Sequence, residues 1–287
     1  MSFSSDIKEE LSKIKNLKDK ANLEAEFLGY ILTGNTSNSN NSLEFITENE
    51  FNIEKFYKIL FNLEIEYEPS IRGKVFVANI NKNEKVEQLM RLKLDSDEEI
   101  KKAIVRGAFM GAGSVTDPQK QYHLEIIFEE KNNAEYILNI CKEFGVFLKI
   151  LENKKKFQLY IKDGEEISKF LALIGANKAV MIFEDVRIKK EIKNNVNRLV
   201  NCETANMNKT MNASIEQIEI IRKLKQNGKF EKLEEPLKEI AELRLQNPSA
   251  SLIELGKMLK TPIGKSGVNY RLKKVMEICK KIDDNKK

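Results

Sequence analysis

Apolar positions recur along the chain in two rhythms, a three-to-four spacing that predicts helices and an alternation that predicts strands. The densest helical stretches are Ala25 to Thr36 (Ala-Glu-Phe-Leu-Gly-Tyr-Ile-Leu-Thr-Gly-Asn-Thr) and Ala103 to Ser114 (Ala-Ile-Val-Arg-Gly-Ala-Phe-Met-Gly-Ala-Gly-Ser). A constant offset of 78 residues pairs Ala25 with Ala103, Phe27 with Val105, Gly29 with Gly107, Ile31 with Phe109 and Thr33 with Gly111. In both copies small residues fall every four positions, so each helix carries a smooth stripe on one face. A mid-helix glycine costs about 1 kcal/mol against alanine, and two copies accepting that cost predict a close neighbour. The natural neighbour is the other copy, crossing about a pseudo-twofold axis below the usual interaxial distance of roughly 8–10 Å. The alternative is two unrelated buried helices with tolerated glycines.

Around these twins the pattern predicts a repeated order. Ser5 to Lys20 reads as an amphipathic helix with Ile7, Leu11, Ile14 and Leu17 on one face. After the first twin, the Ser/Asn run Thr36 to Ser42 predicts a turn. The remaining elements of that half are strand Leu43 to Thr47, helix Asn52 to Asn62, strands Glu64 to Glu68 and Lys74 to Ile80 parted by Pro69 and Gly73, and helix Glu84 to Leu92. The second half gives helix Asp97 to Gly111, strand Tyr122 to Glu130, helix Asn132 to Phe144, strands Val146 to Leu151 and Lys156 to Ile161, and helix Gly164 to Leu173. Each half becomes αββαββα if a poorly marked strand directly follows each twin helix. Such a unit cannot cover its own sheet, so the halves should associate through the glycine stripes.

Lys178 to Val200 predicts a further helix with a basic face (Arg187, Lys189, Lys190, Lys193, Arg198), running into the amide-rich Asn201-Cys-Glu-Thr-Ala-Asn-Met-Asn-Lys-Thr. Amides flanked by bases suit sugar and phosphate, so Arg198, Asn201 and Asn206 are candidate additional DNA contacts. A capped hinge between domains fits the same residues equally. Ser214 to Asn227 and Glu234 to Leu245 predict two helices divided by Gly228, and Ser251-Leu-Ile-Glu254 is a capping box opening a short helix to Leu259. Lys260-Thr-Pro-Ile-Gly264 makes a turn, and Lys265 to Lys281 a last helix with Val268, Leu272, Val275, Met276 and Cys279 inside.

A short helix, a tight glycine turn and a basic second helix form the helix-turn-helix layout, about 249–281, whose second helix meets base edges with its N-terminal residues. Lys265, Ser266, Asn269 and Tyr270 are therefore candidate base readers. Arg271, Lys273 and Lys274 are candidate phosphate clamps. From Thr261 to Lys281 there are six basic residues and one acidic, Glu277. The alternative is a solvated lysine face on a helical hairpin.

Charge sharpens this division. Residues 211–287 hold 17 Lys and Arg against 11 Asp and Glu, whereas 1–185 carries a net −5. An acidic body with a basic C-terminal third points to a polyanion met mainly by that third. No run approaches the roughly 18 apolar residues of a membrane span, and Met1-Ser-Phe-Ser-Ser-Asp lacks a signal peptide's features. Cys141, Cys202 and Cys279 are scattered without a CxxC, which suits a reducing compartment. The expected location is the cytoplasm, associated with the nucleoid.

The duplicated helix, glycine at its third motif position and ending in small residues, resembles the LAGLIDADG homing-endonuclease fold. More specifically, Val105-Arg-Gly-Ala-Phe-Met-Gly-Ala-Gly-Ser-Val-Thr-Asp-Pro, Arg198-Leu-Val-Asn-Cys-Glu-Thr-Ala-Asn-Met-Asn-Lys-Thr and Gly264-Lys-Ser-Gly-Val-Asn-Tyr-Arg-Leu resemble the bacterial WhiA family. That resemblance covers nearly the whole chain. It implies an α+β fold class, a duplicated αββαββα LAGLIDADG-like domain followed by an all-α helix-turn-helix domain. The segments expected are an N-terminal helix at 1–20, repeats at 21–95 and 96–176, a basic connecting helix and linker at 177–212, and the DNA-binding domain at 213–287. The function implied is sequence-specific, non-catalytic DNA binding in transcriptional regulation, cell division and chromosome segregation, with sporulation in some relatives.

Homing endonucleases of the fold place a carboxylate at the eighth motif position of each twin helix to hold a divalent metal between them. Those positions are Gly34 and Ala112, neither able to bind a metal. Asp117 lies downstream, but its partner at the 78-residue offset is Ser39, and Asp117-Pro118 reads as a turn. Glu26 stands too far back along its helix to substitute. The only histidine, His123, lacks a nucleophile partner and reads as structural. Gly111-Ala-Gly113 ends a helix where a dinucleotide fingerprint must begin one. No metal, cofactor or small-molecule substrate is expected; the expected partner is double-stranded DNA, with room for another transcription factor. Two rivals remain: a residual metal-dependent DNA endonuclease, and a protein-interaction scaffold with weak non-specific DNA binding.

Overall fold

The computed structural model describes residues 2–14, 19–39, 41–91, 97–153 and 156–284. The chain divides into two compact units between Glu191 and Ile192. The first opens with α1 (Phe3–Ser12), capped by Ser2 and burying Ile7 and Leu11. It stops at Ser12, short of the expected Lys20, with Lys13 as its C-cap, and Asp19, in extended conformation, is the N-cap of the next helix. Leu17 lies outside the described residues.

The first repeat runs α2 (Lys20–Ile31), β1 (Thr36–Asn38), β2 (Ser42–Thr47), α3 (Glu50–Asn62), β3 (Tyr67–Arg72), β4 (Val75–Asn81) and α4 (Glu84–Arg91). The second runs α5 (Glu98–Ala112), β5 (Gly113–Val115), β6 (Leu124–Phe128), α6 (Lys131–Glu143), β7 (Lys149–Asn153), β8 (Lys156–Ile161) and α7 (Gly164–Leu173). Both are αββαββα, with antiparallel sheets ordered β1-β2-β4-β3 and β5-β6-β8-β7. Three strands depart from the sequence pattern. The Ser/Asn run holds β1 as well as a turn, β3 begins at Tyr67 and contains Pro69, and β7 begins three residues later than Val146. All three are edge strands, where proline is tolerated and apolar alternation is not required.

The twin helices meet backbone to backbone. A Cβ built on Gly29 would lie 2.2 Å from Ile104 O, and one on Gly107 would lie 2.1 Å from Glu26 O. No side chain fits at either position. Farther along, Thr33 Oγ1 fills the space beside Gly111 and donates to Tyr30 O at 2.8 Å. Phe27, Tyr30, Phe45 and Phe56 pack ring against ring beside the crossing, with Phe45 and Phe56 centroids 4.7 Å apart.

Asn177–Gln226 is one helix, α8, whose residues from Ile192 onward belong to the second unit. Glu10 caps its start, accepting from Lys178 N at 2.7 Å and Ala179 N at 3.0 Å. The helix continues through residues 201–212, where the sequence pattern suggested a linker. Gly228, at φ 64°, ends it. A 3-10 turn (Phe230–Lys232), α9 (Glu235–Gln246), α10 (Leu252–Met258) and α11 (Lys265–Asp284) complete the unit. Ile221, Leu224, Phe230, Val275 and Cys279 form one core cluster, and Ile240, Leu255, Leu259, Val268 and Leu272 a second.

Candidate nucleic-acid interface

The helix-turn-helix is built by local chemistry. Ser251 and Glu254 form the reciprocal capping box that starts α10, with Glu254 N 3.2 Å from Ser251 Oγ and Ser251 N 2.7 Å from Glu254 Oε2. A Cβ on Gly256 would lie 2.2 Å from Ile263 O, and Ile263 N donates to Gly256 O at 3.1 Å, so the turn folds onto bare backbone. Arg244, 1% exposed, ties the preceding loop: its NH1 donates to Ala250 O at 2.7 Å and Pro248 O at 3.3 Å, and Ser214 Oγ donates to Pro248 O.

On α11, Val268, Leu272, Val275 and Cys279 are buried and Met276 half-buried. At roughly 100° per residue, Ser266, Tyr270 and Lys273 point away from that buried stripe, while Asn269 and Lys265 lie nearer its margin, Lys265 at the first position of the helix. Lys265, Ser266 and Lys273 are exposed, Tyr270 is 66% exposed and Asn269 is half-buried. Lys273, assigned from sequence to the phosphate-clamp set, thus shares the face of the candidate base readers. Lys274, 3.7 Å from Glu234, and the half-buried Arg271 both lie beyond Tyr270 on the same flank. Arg198, Asn201 and Asn206 are exposed on α8. Of the earlier bases on that helix, Lys189 pairs with Asp185 at 2.6 Å, Arg187 with Glu184 at 3.0 Å, and Lys190 donates to Pro118 O at 2.7 Å. Those three are satisfied inside the first unit.

The sequence matches two family models, the WhiA LAGLIDADG-like domain over residues 21–94 and 101–193 and the WhiA C-terminal HTH domain over 196–279. The chain belongs to the WhiA family. It is 38% identical to the probable cell division protein WhiA of Thermoanaerobacter sp. (strain X514), covering 100% of this chain and 99% of that relative. It is 39% identical to the protein of that name from Staphylococcus haemolyticus (strain JCSC1435), again over 100% and 99%. The crystal structure of full-length DUF199/WhiA from Thermatoga maritima superposes with a TM-score of 0.65 at 27% identity, covering 98% of this chain and 99% of that one.

In this WhiA-family chain the ends of the twin helices do not fit a divalent cation. Ala112 closes α5 and Gly34 follows α2 in a turn, its N–H donating to Ile127 O at 2.8 Å. A Cβ on Gly34 would already lie 3.1 Å from Ile127 Cγ2. The main-chain oxygens beside them are taken by neutral amides crossing between repeats. Asn52 Nδ2 donates to Met110 O at 2.6 Å, Asn133 Nδ2 to Leu32 O at 3.2 Å, and Asn35 Nδ2 to Gly111 O at 2.9 Å. Asn52 and Asn133 hold the same third position of α3 and α6, and Leu32 and Met110 are pseudo-equivalent at the 78-residue offset. A hard cation needs charged oxygens, and N–H donors point the wrong end of a dipole at it.

The acids weighed as substitutes have partners of their own. Asp117 Oδ1 accepts from Gln119 N at 2.9 Å in the expected turn. Glu26, fully buried, lies 3.6 Å from Lys55 Nζ and 4.0 Å from Arg106 NH1, and Arg106 Nε donates to Ile174 O at 2.9 Å. Burial lowers the Lys55 pKa while Glu26 opposes that shift. His123 Nε2 is 3.3 Å from Glu125 Oε2, which also receives Gln158. Among the described residues no group of three or more His, Cys, Asp or Glu could hold a metal ion, and no helix is long and apolar enough to cross a membrane.

Proposed function

We propose that this chain is a non-catalytic, sequence-specific DNA-binding regulator that reads duplex through α11. The task is transcriptional control serving cell division and chromosome segregation at the nucleoid. The observation that carries the reading is the α10–turn–α11 arrangement, with Lys265, Ser266, Tyr270 and Lys273 exposed on the start of α11 and Asn269 half-buried among them. Lysine suits guanine acceptors and asparagine pairs bidentately with adenine. A genome-wide footprint of the full chain should give discrete sites. Asn269→Ala should weaken binding there by about 1–3 kcal/mol while leaving random duplex nearly unaffected. An occupancy pattern indifferent to Asn269→Ala and Lys265→Ala would sink the base-reading role and favour the scaffold with loose DNA binding.

Absence of nuclease chemistry is supported by Gly34 and Ala112, which carry no oxygen ligand in their side chains, and by the amide pair that closes the helix ends. Supercoiled plasmid incubated with the protein and Mg²⁺ or Mn²⁺ should stay supercoiled. Nicking abolished by Asp117→Asn would overturn this.

A further inference from the structure

The middle of α8 carries an apolar face that no described residue covers. Every residue from Ile192 to Ala213 is exposed. At roughly 100° per residue, Val196, Val200, Glu203, Met207, Met211 and Ser214 share one side, with Leu199 and Thr210 on its flank. Asn194, Asn197, Arg198, Asn201, Asn208 and Asn212 take the other side. A helix in a folded protein draws most of its stability from packing such a face. This span needs that support more than most. Seven asparagines fall between Ile192 and Ala213, each less favourable than alanine by about 0.7 kcal/mol, and among the described residues no ion pair braces it.

The same face runs into a groove of about 560 Å³ between α8 and the loop joining α9 to α10, walled by Met207, Met211, Ile215, Ile218 and Pro248. No charged side chain lines it. Ser214 Oγ and Arg244 NH1 both donate to Pro248 O, so the far wall is already fixed. Exposed apolar area decides what such a face can hold. Val196, Leu199, Val200, Met207, Met211 and Ile215 are 49–67% exposed. Fully burying one such side chain removes about 60–120 Å² from water, so the six together offer roughly 200–400 Å². A standard interface takes about 800 Å² from each partner, of which about 450 Å² is apolar. Exposed Pro248 and half-buried Ile218 bring the face close to that figure. The supply matches one interface of modest strength rather than an obligate dimer.

We propose that this face binds a second copy of the chain, two α8 helices crossing antiparallel about a twofold axis beside Met207. Each chain offers both halves of the contact: a groove around Ile215 and Pro248, and an exposed ridge, Val196, Leu199 and Val200, farther back on the same side. With the axis at Met207, residue 199 meets 215 of the second copy, 200 meets 214, and 203 meets 211. Each ridge then enters the other copy's groove, and the contact closes on itself as an isologous pair. Glu203 chooses the direction. Parallel helices would set it against its own copy, whereas the antiparallel pair sets it beside Met211. Its charge still loses water there, which keeps the association weak and dependent on concentration.

The test is sedimentation equilibrium of the full chain from micromolar to sub-millimolar concentration, with three variants at exposed positions: Met207→Glu, Glu203→Leu, and Asn201→Glu on the opposite side. The parent should pass from a 33.1 kDa monomer to twice that mass and stop there. M207E should weaken association at least tenfold, because it buries a charge without a partner. E203L should tighten it roughly tenfold by removing one, and N201E should leave it unchanged. Helix content by circular dichroism should rise along the same concentration curve, since pairing supports the asparagine-rich span. A parent that stays at the monomer mass throughout overturns the proposal. A dimer indifferent to M207E and E203L is built on another surface, and the proposal falls equally. No arm of the test uses DNA, so the result stands or falls apart from the DNA-binding reading.

Discussion

Single side chains stand where the fold's metal chemistry would otherwise be. Asn52 bonds at once to Met110 O, Tyr30 OH and Thr47 Oγ1, all buried. Asn52→Leu keeps the volume but strands a buried carbonyl and a phenol, and should lower unfolding free energy by about 1–3 kcal/mol in urea. Asn133→Leu, at a half-buried position, should cost less. An equal loss at both would mean the pair does not act through burial. Nothing in the sequence marked these asparagines, because residues opening a helix favour polar types for local reasons. Their pairing is also hidden by a repeat offset that shifts from 78 at the twins to 81 at α3 and α6, the second copy's β5–β6 link being longer. Cysteine reactivity follows burial in the same way. Burial pushes the Cys141 thiol up to about 12, Cys279 is also buried, and Cys202 is exposed. Alkylation of the native chain should therefore consume one thiol quickly, and all three only after denaturation. Rapid loss of a second would contradict the packing around α6 or α11.

Close approach of backbones decides two element pairs. At the α2–α5 crossing, Gly29→Ala or Gly107→Ala drives a methyl into the opposing main chain, which must move; overpacking alone costs about 1–3 kcal/mol, and backbone is less forgiving than a side chain. The double variant should cost less than the sum, since the first methyl already opens the same gap. Strict additivity in thermal unfolding would place the two glycines in separate contacts. In the second unit, Gly256→Ala presses on Ile263 O and should abolish duplex binding while leaving α2 and α5 as stable as before. The twin glycines were legible because their spacing repeats and their cost demands a reason. The capping box of α10 and the bounds of α7 were equally plain, resting on short-range rules. The bounds of the edge strands were not: a strand was expected at Val146 to Leu151, but every residue of β7 is exposed, so no apolar alternation fixes where it begins. Nor was the length of α8, since residues 199–213 are exposed all round and only backbone hydrogen bonding carries the helix through its asparagines.

At the scale of the whole molecule, charge and surface divide the work. The net −5 of residues 1–185 sets a repulsive background for duplex, and just beyond it Arg187, Lys189 and Lys190 are spent on internal partners. The excess of positive charge in 211–287 has few competing acids on α11, where among the described residues Lys274 alone of the four basic residues from Lys265 to Lys274 meets a carboxylate, Glu234. Electrostatic affinity should therefore be carried unevenly. Neutralising Lys265 and Lys273 together should flatten the dependence of log affinity on log salt by about 1.8, at roughly 0.9 per phosphate contact, if both sit at the backbone. If they read bases instead, the slope holds and discrimination between cognate and random duplex collapses. Lys274→Gln should change the slope by less than either, because leaving Glu234 costs part of what a phosphate returns. Replacing Lys189 and Lys190 should leave it unchanged. A slope that fell equally for every lysine removed, irrespective of unit, would mean that this protein attracts DNA only by its average charge and reads nothing.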